Sequence, residues 1–209
     1  PMIILLLVAT IIVSVACLRN RELFMRLALS PYQVVHHRQY YRLLSHMFVH
    51  GGSMHLVVNM IVLFSFGTDV IDSFEYLAEG EMMSFPTLHM LVLYFGGGVT
   101  AAVLGLRRHK DDPSALSVGA SGGVASVVFT SIFFDPWGLI YVFGLVPIPG
   151  ILFGVAYILY SWRMADRAND NIDHRAHLYG ALFGLIYPLL INHKFFTFFL
   201  QGLQDFPWL

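Results

Sequence analysis

Six stretches of the chain are apolar over nearly the length that a membrane-spanning helix needs, about 20 residues, and polar segments separate them. The pattern predicts helices over about 2–18, 54–71, 88–106, 120–134, 139–162 and 176–191. The fourth is short and opens on small residues. The fifth is interrupted by Pro147 and Pro149, and Asp135-Pro136-Trp137-Gly138 reads as a tight turn before it. The segment 19–53 mixes aromatic, basic and apolar residues. It is too apolar for a disordered linker and is expected to fold on or in the membrane interface. Segments 107–117 and 163–175 are short and charged. The tail 193–209 carries Phe195, Phe196, Phe198, Phe199 and Trp208, as an interfacial segment would. There is no repeat and no low-complexity stretch, so 1–209 reads as one domain.

Composition supports a membrane protein built of helices. Over 209 residues, 57% are hydrophobic and 12% charged, and the mean hydropathy is +0.68. A soluble domain of this length needs far more charge to cover its surface. The net charge of −1 gives no sign of a nucleic-acid partner. Cys17 is the only cysteine, which excludes an internal disulfide framework and a cysteine-rich metal site; it reads as a small core residue. Segment 2–18 lacks a basic flank and is followed by further apolar segments, so it is expected to be a membrane helix rather than a cleaved signal. Pro1 in place of an initiator Met is what processing or trimming would leave.

If all six helices span, the starts of the second, fourth and sixth lie on one side of the membrane. The residues least suited to a bilayer sit at those starts: His55 and Asn59, Ser121, and His177. Ionisable groups inside a membrane are costly and mark function. Three such clusters at one depth on one face of a bundle read as one site.

Each cluster has a chemical reading and a structural one. Gly119-Ala120-Ser121-Gly122-Gly123 places a serine between glycines at a helix start, where a carbonyl can approach and the serine N–H lacks an intrahelical partner. That suits a nucleophile whose own amide helps hold an oxyanion; a glycine-rich helix contact would look the same. The letters also match the G-x-S-x-G elbow of α/β-hydrolases, which requires a soluble sheet that this composition excludes. His177 is followed by Gly180 and Gly184, four apart on one face, allowing the close helix approach that a Ser–His hydrogen bond requires; a packing motif with an incidental histidine is the alternative. His55 and Asn59 share a face and can both donate to an oxyanion, or can simply clamp two helices. His46 and His50 read as structural hydrogen-bonding groups. His36, His37, His89, His109 and His193 read as interfacial or exposed. No carboxylate is well placed to orient the imidazole, so a Ser–His dyad is expected, with Asp173 the weaker candidate for a third member.

Together these blocks resemble the rhomboid family. Tyr41-Arg42 with His46, His50, His55 and Asn59 are similar to its aromatic-Arg and H-x3-H-x4-H-x3-N run. Gly119-Ala120-Ser121-Gly122 resembles its G-x-S-G motif, and Ala176-His177 with Gly180 and Gly184 its A-H-x-x-G-x-x-x-G. The resemblance covers essentially the whole chain. It implies an all-α, six-transmembrane-helix bundle with a partly folded interfacial first loop, acting as an intramembrane serine endopeptidase. Ser121 would be the nucleophile and His177 the general base and then acid. The Ser121 amide, His55 and Asn59 would hold the oxyanion, with Arg42, His46, His50, Gly119, Gly122, Gly180 and Gly184 as structural support. The implied substrates are transmembrane segments of single-span membrane proteins, entering sideways from the lipid bilayer. Helix-destabilising residues and a small residue before the cut are favoured. No metal, cofactor or nucleic acid is implied, and nothing fixes the oligomeric state. The implied location is a bacterial inner (plasma) membrane, as a multi-pass protein.

Two positions depart from the family pattern. The aromatic four residues after the nucleophile is replaced by Ala125, so something else must orient His177. The acidic residue late in the second helix is replaced by Ile71, with Asp69 and Asp72 nearby. The charges also conflict with the family topology. Eleven of the twelve Lys and Arg, all but Lys194, lie in the three loops on the catalytic side. The positive-inside rule puts that side in the cytoplasm; the family's site opens to the opposite compartment, and the expectation follows the family. Two rivals stand beside the protease. A metal-dependent membrane enzyme could draw on His46-x3-His50 and His174-x2-His177, although no H-E-x-x-H occurs. A non-catalytic rhomboid-like binder of membrane helices would be expected to lack the serine or the histidine, and both are present.

Overall fold

The computed structural model describes residues 2–142, 144–165 and 174–206; Asp173 and Trp208 lie outside them. Each of the six expected segments carries a helix. These are α1 (Met2–Arg19), α5 (Ser53–Glu79), α6 (Pro86–His109), α7 (Ser121–Phe134), α8 (Gly150–Met164) and α9 (His174–Ile191). Among the described residues, α1, α5 and α6 are long and apolar enough to cross a membrane. The pair of α9 and the terminal α10 (Phe195–Gln204), bent by 119°, would make a fourth span. The chain is a mainly helical integral membrane protein.

Segment 19–53 is folded, into α2 (Arg21–Leu27), α3 (Pro31–His37), α4 (Arg42–Ser45) and a 3-10 turn at His46–Phe48. Asn20 and Ser30 cap α2 and α3 by accepting from Leu23 N and Gln33 N, which satisfies amides that a helix start leaves open.

The expected fifth helix is corrected. Residues 139–149 form a two-stranded antiparallel hairpin, β1 (Leu139–Val142) with β2 (Val146–Pro149), and α8 begins only at Gly150. Pro147 and Pro149, two missing N–H groups within three residues, work against an α-helix there. Being two apart, they turn their missing N–H positions to the same edge, away from β1, where a strand tolerates them. The second helix is corrected in length: α5 continues to Glu79 instead of ending near 71. Val70, Phe74 and Leu77 remain buried at helical spacing while Asp69, Asp72, Glu75 and Glu79 face outward. An uninterrupted apolar run is therefore too strict a test for an amphipathic helix end.

The innermost helix is α7, with 11 of its 14 residues buried, and it packs on α5, α6 and α9. Small residues allow the approach. A Cβ on Gly97 of α6 would stand 2.5 Å from Ser126 Cβ, and one on Gly123 would stand 2.5 Å from Tyr94 O. Hydroxyls tie these crossings: Thr130 Oγ1 donates to Gly184 O (2.8 Å), and Ser126 Oγ shares its one hydrogen between Leu93 O of α6 (2.9 Å) and Gly123 O of its own helix (2.7 Å). Inside an apolar bundle such hydroxyls need partners of this kind.

Candidate active site

Ser121 is the first helical residue of α7, after Ala120 at the cap. The first bond onto the cap is Val124 N to Ala120 O, at 2.9 Å. The amides of Ser121, Gly122 and Gly123 thus belong to the turn whose N–H groups lack intrahelical acceptors. The partial positive charge of a helix start adds to them.

The approach to Ser121 is held by the histidine run. Gly119 N donates to His46 O at 3.1 Å, and Ala120 N donates to His50 Nε2 at 3.4 Å. An accepting Nε2 assigns the proton to Nδ1, which makes Nδ1 the donor to Ser14 Oγ, 3.0 Å away on α1. Burial, with the neighbouring His55 adding to it, pushes His50 down to about 4, so its ring is neutral in the folded protein. Gly119 has φ +122°, and a Cβ on it would stand 2.7 Å from His55 Cε1. Only glycine fits that backbone against that ring. His46 Nδ1 donates in turn to Arg42 O, 3.0 Å away. Buried Arg42 donates from Nη1 to Met25 O (2.7 Å) and Ala28 O (2.6 Å), and from Nε to Gln39 Oε1 (2.7 Å). A bridge from Leu29 to Ser117, with N–H to O distances of 3.0 and 2.9 Å, fastens this first loop to the strand of chain entering the site.

His177 lies in the first turn of α9, and α9 crosses α7 backbone to backbone. A Cβ on Gly180 would meet the Gly122 carbonyl oxygen, with Gly122 C at 2.9 Å and Cα at 3.0 Å. One on Gly184 would meet Ser126 in the same way, with its C and Cα both at 2.8 Å. A Cβ on Gly122 would stand 3.6 Å from Ala176 O. The residue after Ser121 and the residue before His177 are therefore neighbours.

These elements border one open cavity of about 1220 Å³, and Ser121, His177, His55 and Asn59 all line it. Asn59 is buried and donates one Nδ2 hydrogen to His55 O at 2.8 Å, which leaves its second donor for a ligand. Among the described residues no hydrogen bond links the Ser121 hydroxyl to the His177 ring. Catalytic hydrogen bonds are often long in a resting site.

Two contacts of the site escape a reading by helix spacing. Tyr157 of α8 lies with its ring 6.3 Å from that of His177 and 22° from parallel. Ser14 is the partner of His50; its hydroxyl is one of two in the apolar α1, with Thr10, and spacing does not tell them apart. His89, expected to be interfacial or exposed, is half-buried and 2.8 Å from the Tyr187 hydroxyl across α6 and α9. Of the two histidine pairs that a metal could draw on, His46 and His50 are engaged otherwise: His46 Nδ1 bonds to Arg42 O, and His50 uses both ring nitrogens on Ser14 and Ala120.

The family model of the Rhomboid domain matches residues 37–194, a span that takes in every candidate above from Arg42 to Gly184 apart from Ser14. The chain is 28% identical over 154 residues to RHOMBOID-like protein 12, mitochondrial, of Arabidopsis thaliana, covering 66% of this chain and 43% of that protein. It is 30% identical over 146 residues to Presenilin-associated rhomboid-like protein A, mitochondrial, of Danio rerio, covering 67% of this chain and 34% of that protein. Each match thus spans less than half of the curated relative's length.

Proposed function

The chain belongs to the rhomboid family, and on that premise we propose that it is an intramembrane serine endopeptidase cutting transmembrane segments of other membrane proteins. The observation that carries this reading is the convergence of Ser121, His177, His55 and Asn59, from three helices, on one cavity. The contact of Gly180 with Gly122 supports it by bringing α9 beside the start of α7.

In this mechanism Ser121 Oγ attacks the scissile carbonyl while His177 takes the hydroxyl proton. The Ser121 amide, His55 and Asn59 donate to the oxyanion that forms. Collapse expels the new amine, which receives the proton from His177. Water, deprotonated by the same ring, then releases the acyl group and regenerates Ser121. Access fits the helix lengths. At 14 residues, α7 is about 21 Å long against a hydrocarbon thickness of about 30 Å; too short to reach both membrane surfaces, it suits a serine set below one of them. A six-span topology follows from this reading. A bacterial plasma membrane is the expected location, and fractionation tests it against the mitochondrial one that the names of both relatives give for those proteins.

A cleavage assay in detergent with a single-span substrate, comparing wild type with Ser121→Ala, tests the proposal. Ser121-dependent cleavage supports it. The second reading is a non-catalytic binder of membrane helices. It predicts capture of the same substrate uncut by wild type and Ser121→Ala alike.

A further inference from the structure

A general base works only while its ring stays within hydrogen-bond reach and in line with the proton it takes. Four residues beyond Ser121, on the part of α7 that borders the cavity, the chain has Ala125, whose methyl cannot hold an imidazole plane. The only ring stacked on His177 among the described residues comes from another helix. Tyr157 of α8 lies at 6.3 Å and 22°, within the range of offset-stacked pairs.

The Tyr157 ring is itself fixed. Phe153, one turn earlier on α8, meets it at 5.7 Å, and Phe129 of α7 meets it at 5.5 Å. Gly154 seats α8 against α7 just before it: a Cβ there would stand 3.4 Å from both Phe129 Cε1 and Ile132 Cδ1. His174 of the same helix meets His177 edge-on, at 73° and 6.3 Å.

We infer that Tyr157 is the positioning residue of the proposed base, holding the plane of the His177 ring by stacking from α8 in place of an aromatic on α7. The inference rests on the reading of Ser121 and His177 as a dyad. The ring is the operative part. Its phenol hydroxyl has no share in the argument, so phenylalanine should serve as well as tyrosine.

The test compares wild type, Tyr157→Phe, Tyr157→Leu and Tyr157→Met in the detergent cleavage assay, with kcat and KM separated and unfolding followed by melting temperature. Tyr157→Met is the second ring-free variant should Tyr157→Leu fail to fold. Tyr157→Phe should keep kcat within about threefold, since the stack survives. The ring-free variants should lose about 10- to 100-fold in kcat, as misorientation of a reacting group does, with KM near wild type and the melting temperature lowered by the lost packing on Phe129 and Phe153. In spectra of histidine-labelled protein, the His177 ring protons should move downfield in the ring-free variants, because a stacked ring shields them; this readout does not need turnover. Ring-free variants with wild-type kcat, an unmoved His177 signal, or Tyr157→Phe falling as far as Tyr157→Leu would each overturn the inference and leave the protease reading standing. A wild type without Ser121-dependent cleavage would overturn both.

Discussion

Gly180→Val probes the crossing that sets α9 beside α7 without touching a reacting atom. A single Cβ at 180 would stand 2.9 Å from Gly122 C and 3.0 Å from Gly122 Cα, and closer still to the Gly122 carbonyl oxygen. Comfortable contacts between carbon atoms are about 3.5–4.0 Å, so the backbones must part by about 0.5–1 Å at Cβ alone. The valine methyls add to that. No flexible side chain can give way, because the atoms met belong to the backbone of α7. Overpacking of this kind costs about 1–3 kcal/mol of stability. A shift of about 1 Å between nucleophile and base costs on the order of 10²-fold in rate. The assay is kcat for cleavage of a single-span substrate in detergent, read beside the melting temperature. Gly180→Val should fall by about two orders of magnitude in kcat while remaining folded, and Gly180→Ala should fall less. Gly105→Ala is the control, since nothing lies within 4 Å of a Cβ there; it should be neutral. Wild-type cleavage by Gly180→Val, or equal losses at 105 and 180, would refute the account of the crossing.

Three further outcomes follow from the site. Ser121→Ala and His177→Ala should each abolish cleavage with the fold intact, and the double variant should cost little more than either, because nucleophile and base act as a unit; single-turnover assays of the three decide it. Asn59→Ala and His55→Ala should lower kcat by about 10²–10³-fold, the usual effect of losing one oxyanion donor, with KM little changed; an unaltered kcat in both would remove the oxyanion role. His50 should make stability fall in acid. Its folded pKa of about 4 lies below its unfolded value of 6.5, so the unfolded chain takes up the proton first. The contribution is complete above pH 6.5 and is lost as pH falls from there toward 4, by about 3 kcal/mol in all. His50→Gln, which can still donate to Ser14 and accept from Ala120, should flatten that acid limb of the melting-temperature profile; a parallel profile would show that another group carries it.

Several features were legible from order along the chain because they are local. His55 and Asn59 share a face by spacing alone, and Ser121 marks a helix start by its glycines. Gly180 and Gly184 lie on one face, the one that meets α7. Each is a property of one helix, set by 3.6 residues per turn and by where small or polar residues fall within apolar runs. The clean alternation of apolar and polar segments was likewise enough to read a helical membrane protein. Where local rules competed, the sequence reading failed. Residues 139–149 are apolar enough for a helix, and two prolines with a reversing Gly144 at φ +72° made them a hairpin. The outward carboxylates of 69–79 masked a helix whose other face stays buried. The partners across helices were decided only by the tertiary structure: Ser14 for His50, the His46 carbonyl for Gly119, the Tyr157 ring for His177. These pairs lie 36, 73 and 20 residues apart. Their meeting depends on how whole helices cross, and crossings are set by the summed fit of many small side chains, which no spacing within one helix encodes.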